Sequence, residues 1–477
     1  MFTRYLWLFL LVFSTTIRKG LHMFKDWRIS SYVLFATLLA LLTTLVVVAY
    51  YLNHPRVEPL ADTWSYLYVV DRIQTQGQLV NFWRLPGYPL LIVLVYALLG
   101  QGNLAAISTV QAVLFVLATL EFYVLTALIL RRSWAAFLIS MLVGPNLVLL
   151  SYIKPIMSEA MDLWLCTTLA LAVVYFLYNL RARILWLVAI CTLLLFMTRP
   201  EWIYLPVPLF AYLLLVAAWR GRVRQLLLHA ALSLVLLYSV LGGYILINTT
   251  QNHFPGLTWI QNINELGKVL QYKMQDEAPL QYAGISRALD SSVTEGLTDP
   301  YIILNQQPSL SRNNAALSGT FAQTIIEHHP VEFLIKSIPA FFSSLSVFYL
   351  ESSVTADKQF GMPLIWLQSG FRALYKWNRL FPLCALIWLL LLCWRRTRHL
   401  RTVQAMGAVV LLSLYALIIT TVGAYRGVDY MRVHIPFDPL LTLVIWGSLL
   451  AGIILLVKQV RTGLLGNKIR ARKNVLV

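Results

Sequence analysis

The chain has 477 residues, 59% of them hydrophobic and 12% charged, where a soluble protein of this size carries roughly 25% charged residues. Its 38 Lys+Arg against 20 Asp+Glu leave a net charge of +18, but the basic residues lie in short clusters between long apolar runs. Those runs are about 20 residues long, enough to cross a bilayer, so the composition excludes a soluble enzyme and needs no nucleic-acid partner.

In chain order, residues 5–16 form an apolar run too short to span. Arg18-Lys19 follows without a small-residue cleavage site, which suggests an interfacial helix or an over-long start before Met23 rather than a signal peptide. Ten spans are then predicted, near 31–51, 104–130, 134–151, 161–180, 184–199, 202–219, 226–247, 380–394, 403–424 and 437–457. The fifth and sixth are separated only by Thr198-Arg199-Pro200-Glu201. The fold class expected is an all-α polytopic membrane protein, with interfacial helices in its first outer loop and a small, mostly helical outer domain. Cys166, Cys191, Cys384 and Cys393 all lie in apolar runs and suggest no disulfide framework.

Basic residues near helix ends are retained in the cytoplasm. The clusters Lys19/Lys25/Arg28, Arg131-Arg132, Arg181/Arg183, Arg220/Arg222/Arg224, Arg395–Arg401 and the tail from Lys458 to Lys473 fall on alternate connections. Every acid except Asp26 and Glu121 falls on the other connections or at the helix ends beside them. The expected layout is a cytoplasmic or interfacial segment 1–30 and helices 1–7 over 31–247, with an outer loop at 52–103. An outer domain at 248–379, helices 8–10 over 380–457 and a basic cytoplasmic tail at 458–477 follow.

A transporter keeps its ionisable groups at mid-membrane. Here only Glu121 falls well inside a span, where it reads either as a transport residue or as a helix-packing hydrogen bond. The distribution argues instead for a reaction at the outer face. In the first loop, Trp64, Leu67, Tyr68 and Ile73 recur at helical spacing and predict an amphipathic interfacial helix over 62–76. Asp62 stands near its N-terminus and reads equally well as an N-cap. Arg84-Leu85-Pro86-Gly87-Tyr88-Pro89 reads as a rigid turn into an apolar segment. Ser158-Glu159 opens the fourth span, Thr198-Arg199-Pro200 joins the fifth to the sixth, and Arg432-Val433-His434-Ile435-Pro436-Phe437-Asp438-Pro439 enters the last.

In that order, these motifs resemble the C-type (GT-C) membrane glycosyltransferases, and among them the protein O-mannosyltransferases and the lipid A aminoarabinose transferases. The resemblance covers 31–247 and 378–457, not the intervening segment. Family members often carry two adjacent acids in the first loop, whereas Asp62 is followed here by Thr63. The resemblance implies transfer of a sugar from a polyprenyl-phosphate carrier to a lipid, glycan or protein acceptor outside the inner (plasma) membrane. It implies Asp62 as catalytic base and Glu159 as second acid, with a divalent metal at these two as a possibility. The donor phosphate would fall to Arg199 and Arg432, followed by Arg84, Lys154 and Arg426. Acceptor positioning would fall to Asp71, Asp162, Tyr88, Glu201 and His434. No nucleotide-binding Gly-rich loop is visible, as a lipid-linked donor requires.

Two further readings stay open: an O-antigen-type polysaccharide polymerase or ligase using lipid-diphosphate donors, and a secondary transporter using Glu121. A non-catalytic subunit is a third. His253 and His328-His329 invite a zinc site, but no third ligand is spaced correctly in the sequence. Asn248-Thr249-Thr250 fits a glycosylation acceptor.

Overall fold

The computed structural model describes residues 27–57, 59–294, 300–306, 315–346, 362–424, 427–454 and 457. The 5–16 run, Arg426 and the basic tail lie outside the described residues. The protein is an all-α polytopic membrane protein; no strand occurs among the described residues. Eight helices there are long and apolar enough to cross a membrane.

The first, α1 (Trp27–Asn53), shows outward-facing Leu34, Leu41 and Leu45, as a lipid-exposed face should. It is followed by α2 (Ala61–Gln76), the amphipathic helix expected in the first loop. After the Pro86 turn the apolar segment is a short helix of its own, α3 (Gly87–Leu99). Next comes α4 (Leu104–Leu130), capped by the Asn103 side chain, which accepts from the Ala106 amide at 3.0 Å.

The predicted span 134–151 is not one helix. It divides into α5 (Ser133–Ser140) and α6 (Leu147–Ile153). Pro145 disfavours helical geometry at Gly144, and Asn146 restarts the helix by capping the Val148 amide at 3.0 Å. A Cβ on Gly144 would lie 2.2 Å from Thr43 Oγ1 and 3.1 Å from Thr119, so α1, α4 and the break meet where only glycine fits. Helices α7 (Glu159–Asn179), α8 (Ala182–Thr198), α9 (Pro206–Trp219) and α10 (Val223–Asn252) follow. Asn248 is buried in α10 with its amide donating to Gly256 and Leu257 carbonyls, so it offers no glycosylation acceptor.

Residues 259–346 supply α11 (Trp259–Gln271), α12 (Ala283–Thr294), α13 (Pro300–Gln306), α14 (Ala315–His328) and α15 (Pro330–Ser344). Helices α11 and α14 pack through Ile263, Leu266, Phe321 and Ile325, a small core separate from that of the bundle. Two membrane elements join this core: Phe82 and Trp83 of the first loop, and Ala424 and Tyr430 near the last span. The eighth span begins earlier than its hydropathy suggests. The helix α16 (Met362–Tyr375) leads through a 3-10 turn into α17 (Phe381–Cys393), and 363–393 together are long enough to cross. The chain closes with α18 (Arg401–Gly423), α19 (Gly427–His434) and a helix over 438–454.

The turn at Arg199–Pro200 contacts the first turn of α7. It therefore stands at the same end of the bundle as the first loop and α19.

Candidate active site

Six ionisable side chains from that end of the bundle form one alternating ladder. Arg84 Nη2 lies 2.7 Å from Asp62 Oδ1, and Asp62 Oδ2 lies 2.5 Å from Arg432 Nη2. Arg432 Nε then reaches Glu159 Oε1 at 3.0 Å, which also takes Arg199 Nη2 at 2.7 Å. Arg199 Nε ends the series 2.8 Å from Asp162 Oδ2. Its single proton is directed at Ser158 Oγ, 3.0 Å away, so the contact with Asp162 is ionic rather than a hydrogen bond. Thr198 Oγ1 donates to the other Asp162 oxygen.

The ladder has a wet end and a dry end. The Asp62 side chain is 27% exposed and that of Arg432 21%, whereas Glu159 and Asp162 are fully buried. Three carboxylates balance three guanidiniums, so the cluster carries no spare positive charge. Burial alone would raise the Asp62 carboxyl, but the Arg432 and Arg84 guanidiniums hold it well below the usual carboxylate range. In this state it is a weak base.

Local structure explains the placement. Asp62 is not the N-cap of α2. Thr63 closes that end, its Oγ1 accepting from the Leu60 amide at 3.0 Å and donating to the Ile156 carbonyl at 3.1 Å. Thr63 therefore fastens α2 to the 154–158 turn and leaves Asp62 to face the arginines. Gly87 brings the first loop against α8: a Cβ there would lie 2.6 Å from the Met197 carbonyl oxygen, two residues from Arg199. Arg84 is further held by Ser65 Oγ, which accepts from its Nε at 2.8 Å, and by the Tyr66 ring, 4.5 Å below the guanidinium. The Tyr66 hydroxyl donates to Ser158 at 3.2 Å.

The other candidates stand apart from the ladder. Lys154 Nζ donates to the Arg56 carbonyl at 2.5 Å, which braces the start of the first loop. Tyr88 is buried with its hydroxyl on Gln111 Oε1 at 3.0 Å, one ring away from the site through Tyr66. Asp71 is exposed on α2, nine residues beyond Asp62. Glu201 does not bridge to Arg199, although its charge is felt there. His434 Nδ1 lies 2.9 Å from Asp438 Oδ1, and Asp438 also accepts from Tyr375, one layer below Arg432. Glu121 accepts from Trp164 Nε1 at 3.1 Å and Thr168 Oγ1 at 2.7 Å, a packing bond between α4 and α7.

The residues as arranged do not fit a metal at Asp62 and Glu159. Both Asp62 oxygens and Glu159 Oε1 face guanidiniums, which repel a divalent cation. The cluster that does group possible ligands is Glu277, His329 and Glu332, with donor atoms within 4.8 Å of one another. The third ligand missing from the spacing thus comes from a segment some 50 residues earlier, but Glu332 is paired with Lys336 at 2.5 Å.

Sequence reasoning missed Ser65, Tyr66 and Ser158 as supports, although each neighbours a residue it selected. It also missed Tyr301, which lies within electrostatic reach of Asp62, Arg84, Asp429 and Arg432. No motif marks that part of the chain.

No protein-family profile matches the sequence, and no curated protein matches it. Among solved structures, the fold is similar to the archaeal oligosaccharyltransferase AglB from Archaeoglobus fulgidus, determined in complex with an inhibitory peptide and a dolichol-phosphate. The TM-score is 0.46 and the identity 13%, over 92% of this chain and 52% of that one. The chain thus spans about half the length of that protein.

Proposed function

We propose that the chain is an inverting glycosyltransferase. It moves a sugar from a polyprenyl-phosphate carrier to a hydroxyl of a lipid, glycan or protein acceptor on the outer face of the plasma membrane. The observation that carries this reading is the ladder itself: the most accessible carboxylate is clasped by two guanidiniums that a phosphate could take over. The basic clusters from Arg131 to Arg401 lie at the opposite end of the bundle, which favours an outward-facing site.

The chemistry follows from the charge balance. The donor is a phosphodiester, so a phosphate monoanion enters the neutral cluster and must compete with Asp62 for Arg432 and Arg84. Each guanidinium gives Asp62 a single contact, whereas it can bind a phosphate through two parallel bonds. As they turn to the donor, Asp62 loses the partners that depress its basicity. Donor binding therefore arms the base. The acceptor hydroxyl then attacks the anomeric carbon from the side opposite the phosphate and gives its proton to Asp62. The new C–O bond forms as the old one breaks, and the departing phosphate keeps the electron pair, stabilised by Arg84 and Arg432. Glu159, itself held by Arg199, holds Arg432 from the dry side throughout.

The test is transfer in proteoliposomes supplied with undecaprenyl-phosphate sugars. Asp62→Asn should abolish release of undecaprenyl phosphate, and the product should have the anomeric configuration opposite to the donor's. Transfer that persists in D62N, or that requires a lipid-diphosphate donor, would instead favour the polymerase or ligase class.

A further inference from the structure

Beside the wet end of the ladder stands a row of aromatic rings contributed by two regions that are far apart in sequence. Tyr68 on α2 lies 6.0 Å from Trp83, and Trp83 lies 4.8 Å from Trp259 at the start of α11, edge to face. Trp259 in turn lies 6.3 Å from Tyr301 on α13. The joint is pinned by the Trp259 amide, which donates to the Phe82 carbonyl at 2.9 Å. Trp259 is buried, whereas Tyr68 is 40% exposed and Trp83 and Tyr301 are partly exposed. The row is anchored by Trp259, and its other three rings keep part of their surface exposed.

Its position relates it to the chemistry. Trp83 immediately precedes Arg84, and Tyr68 is one and a half turns along α2 from Asp62. Tyr301 senses the charges of Asp62, Arg84 and Arg432. The Trp259 Nε1 proton finds no acceptor among the described residues. A buried donor left without a partner is uncommon, and a ligand or ordered water is the usual remedy.

Rings flanked by a carboxylate and a guanidinium suit an amphipathic molecule with an apolar face and a polar rim. A pyranose ring has that form: its C–H face packs on aromatic carbon while its hydroxyls meet charged groups at the edge. An isoprenoid tail would instead need a groove free of charge.

We infer that Tyr68, Trp83 and Tyr301, backed by Trp259, form a platform on which a sugar ring stacks beside Asp62. This deepens the proposed function and rests on it. The platform joins the first loop to the 259–346 domain, so that domain takes part in choosing the sugar. The ring can belong to the donor or to the acceptor.

The full chain in nanodiscs tests this with farnesyl phosphate and its mannose, glucose, galactose and N-acetylglucosamine esters, together with the corresponding methyl glycosides. If the donor sugar stacks, one ester binds about tenfold tighter than farnesyl phosphate, equivalent to ~1.4 kcal/mol. If the acceptor sugar stacks, a methyl glycoside binds instead, and more tightly once farnesyl phosphate is present. In either case Trp83→Ala and Tyr301→Ala remove most of the sugar-dependent gain. Both leave farnesyl phosphate affinity within about twofold, which also reports that they are folded, and Trp83→Phe retains the gain. A sugar gain unchanged in W83A and Y301A, or absent from both arms in the wild type, overturns the platform. Arg432→Gln separates the two readings. If it leaves farnesyl phosphate binding intact, the phosphate site is elsewhere and both readings fall. If binding is lost while the sugar gain ignores the aromatic variants, only the platform falls.

Discussion

Glu159→Gln and Asp62→Asn each remove one negative charge from the same ladder, yet they should have opposite consequences. Glu159 is fully buried, and one of its oxygens serves both Arg199 and Arg432. Its loss leaves Arg199 with Asp162 alone, away from water, and Arg432 with Asp62 alone. Breaking a buried ion pair from one side costs about 3–5 kcal/mol, because the surviving charge stays desolvated. Asp62 stands at the wet end, where water can reach Arg84 and Arg432 when it is neutralised, so its loss should cost less than that of Glu159. The order reverses for catalysis. D62N removes the proton acceptor, a loss of about 10²–10⁴ in rate, while whatever E159Q protein remains folded keeps its base. Thermal unfolding in nanodiscs, paired with transfer rates per folded molecule, measures both. A melting-temperature drop on the order of 5–10 °C is expected for E159Q and a smaller one for D62N. The double variant E159Q/R199Q should recover about 1–3 kcal/mol relative to the sum of the single changes, since it removes the orphaned charge. Equal destabilisation by D62N and E159Q would refute the wet-to-dry gradient on which this reasoning rests.

Gly87→Ala should push the first loop off α8, costing about 1–3 kcal/mol by overpacking and lowering transfer as Arg84 and Arg199 separate; an unchanged melting temperature would contradict the close approach. Glu121→Gln should leave transfer unaltered and cost about 1 kcal/mol of stability, as expected for a packing hydrogen bond, so loss of function would revive the transport reading. Lys268 is buried on α11, where its amine donates to Tyr430 and Gln271 at 2.9 Å each. Burial pushes this amine down to about 7. A lysine depressed on folding binds its proton more readily when unfolded, so stability should rise between about pH 7 and pH 10, the ordinary lysine value. Lys268→Met should flatten that rise in thermal unfolding measured from pH 6 to pH 9.5, and an identical slope in wild type and K268M would rule the linkage out.

The legible parts of the site were those where residue type and chain position coincide. Asp62, Arg84, Glu159, Arg199 and Arg432 each stand where a long apolar run gives way to polar residues, and in a membrane protein every second such border falls at the same end of the bundle. Asp162 was legible because it lies one turn inside α7 from Glu159. The break between α5 and α6 was also written in Gly144-Pro145-Asn146, but continuous hydropathy on both sides hid it: an average over a span does not register a single capping side chain. Lys154, by contrast, has the right charge and border position, and a nearby carbonyl at Arg56 takes its ammonium instead.

The sequence by itself determined the solvent of this protein and where most of its apolar helices lie, because transfer of apolar side chains depends on local composition. It could not decide which acid meets which base. The order Arg84–Asp62–Arg432–Glu159–Arg199–Asp162 joins residues up to 370 positions apart, at Asp62 and Arg432. Only the packing of α2, α7, α8 and α19 against one another brings them within hydrogen-bond range. The same holds for the aromatic row, since Tyr301 carries no local signal and gains its place only when α11 and α13 fold over the first loop. Hydrophobic periodicity is a short-range property of the chain, whereas ion pairing falls off within a few ångströms and answers only to the final geometry.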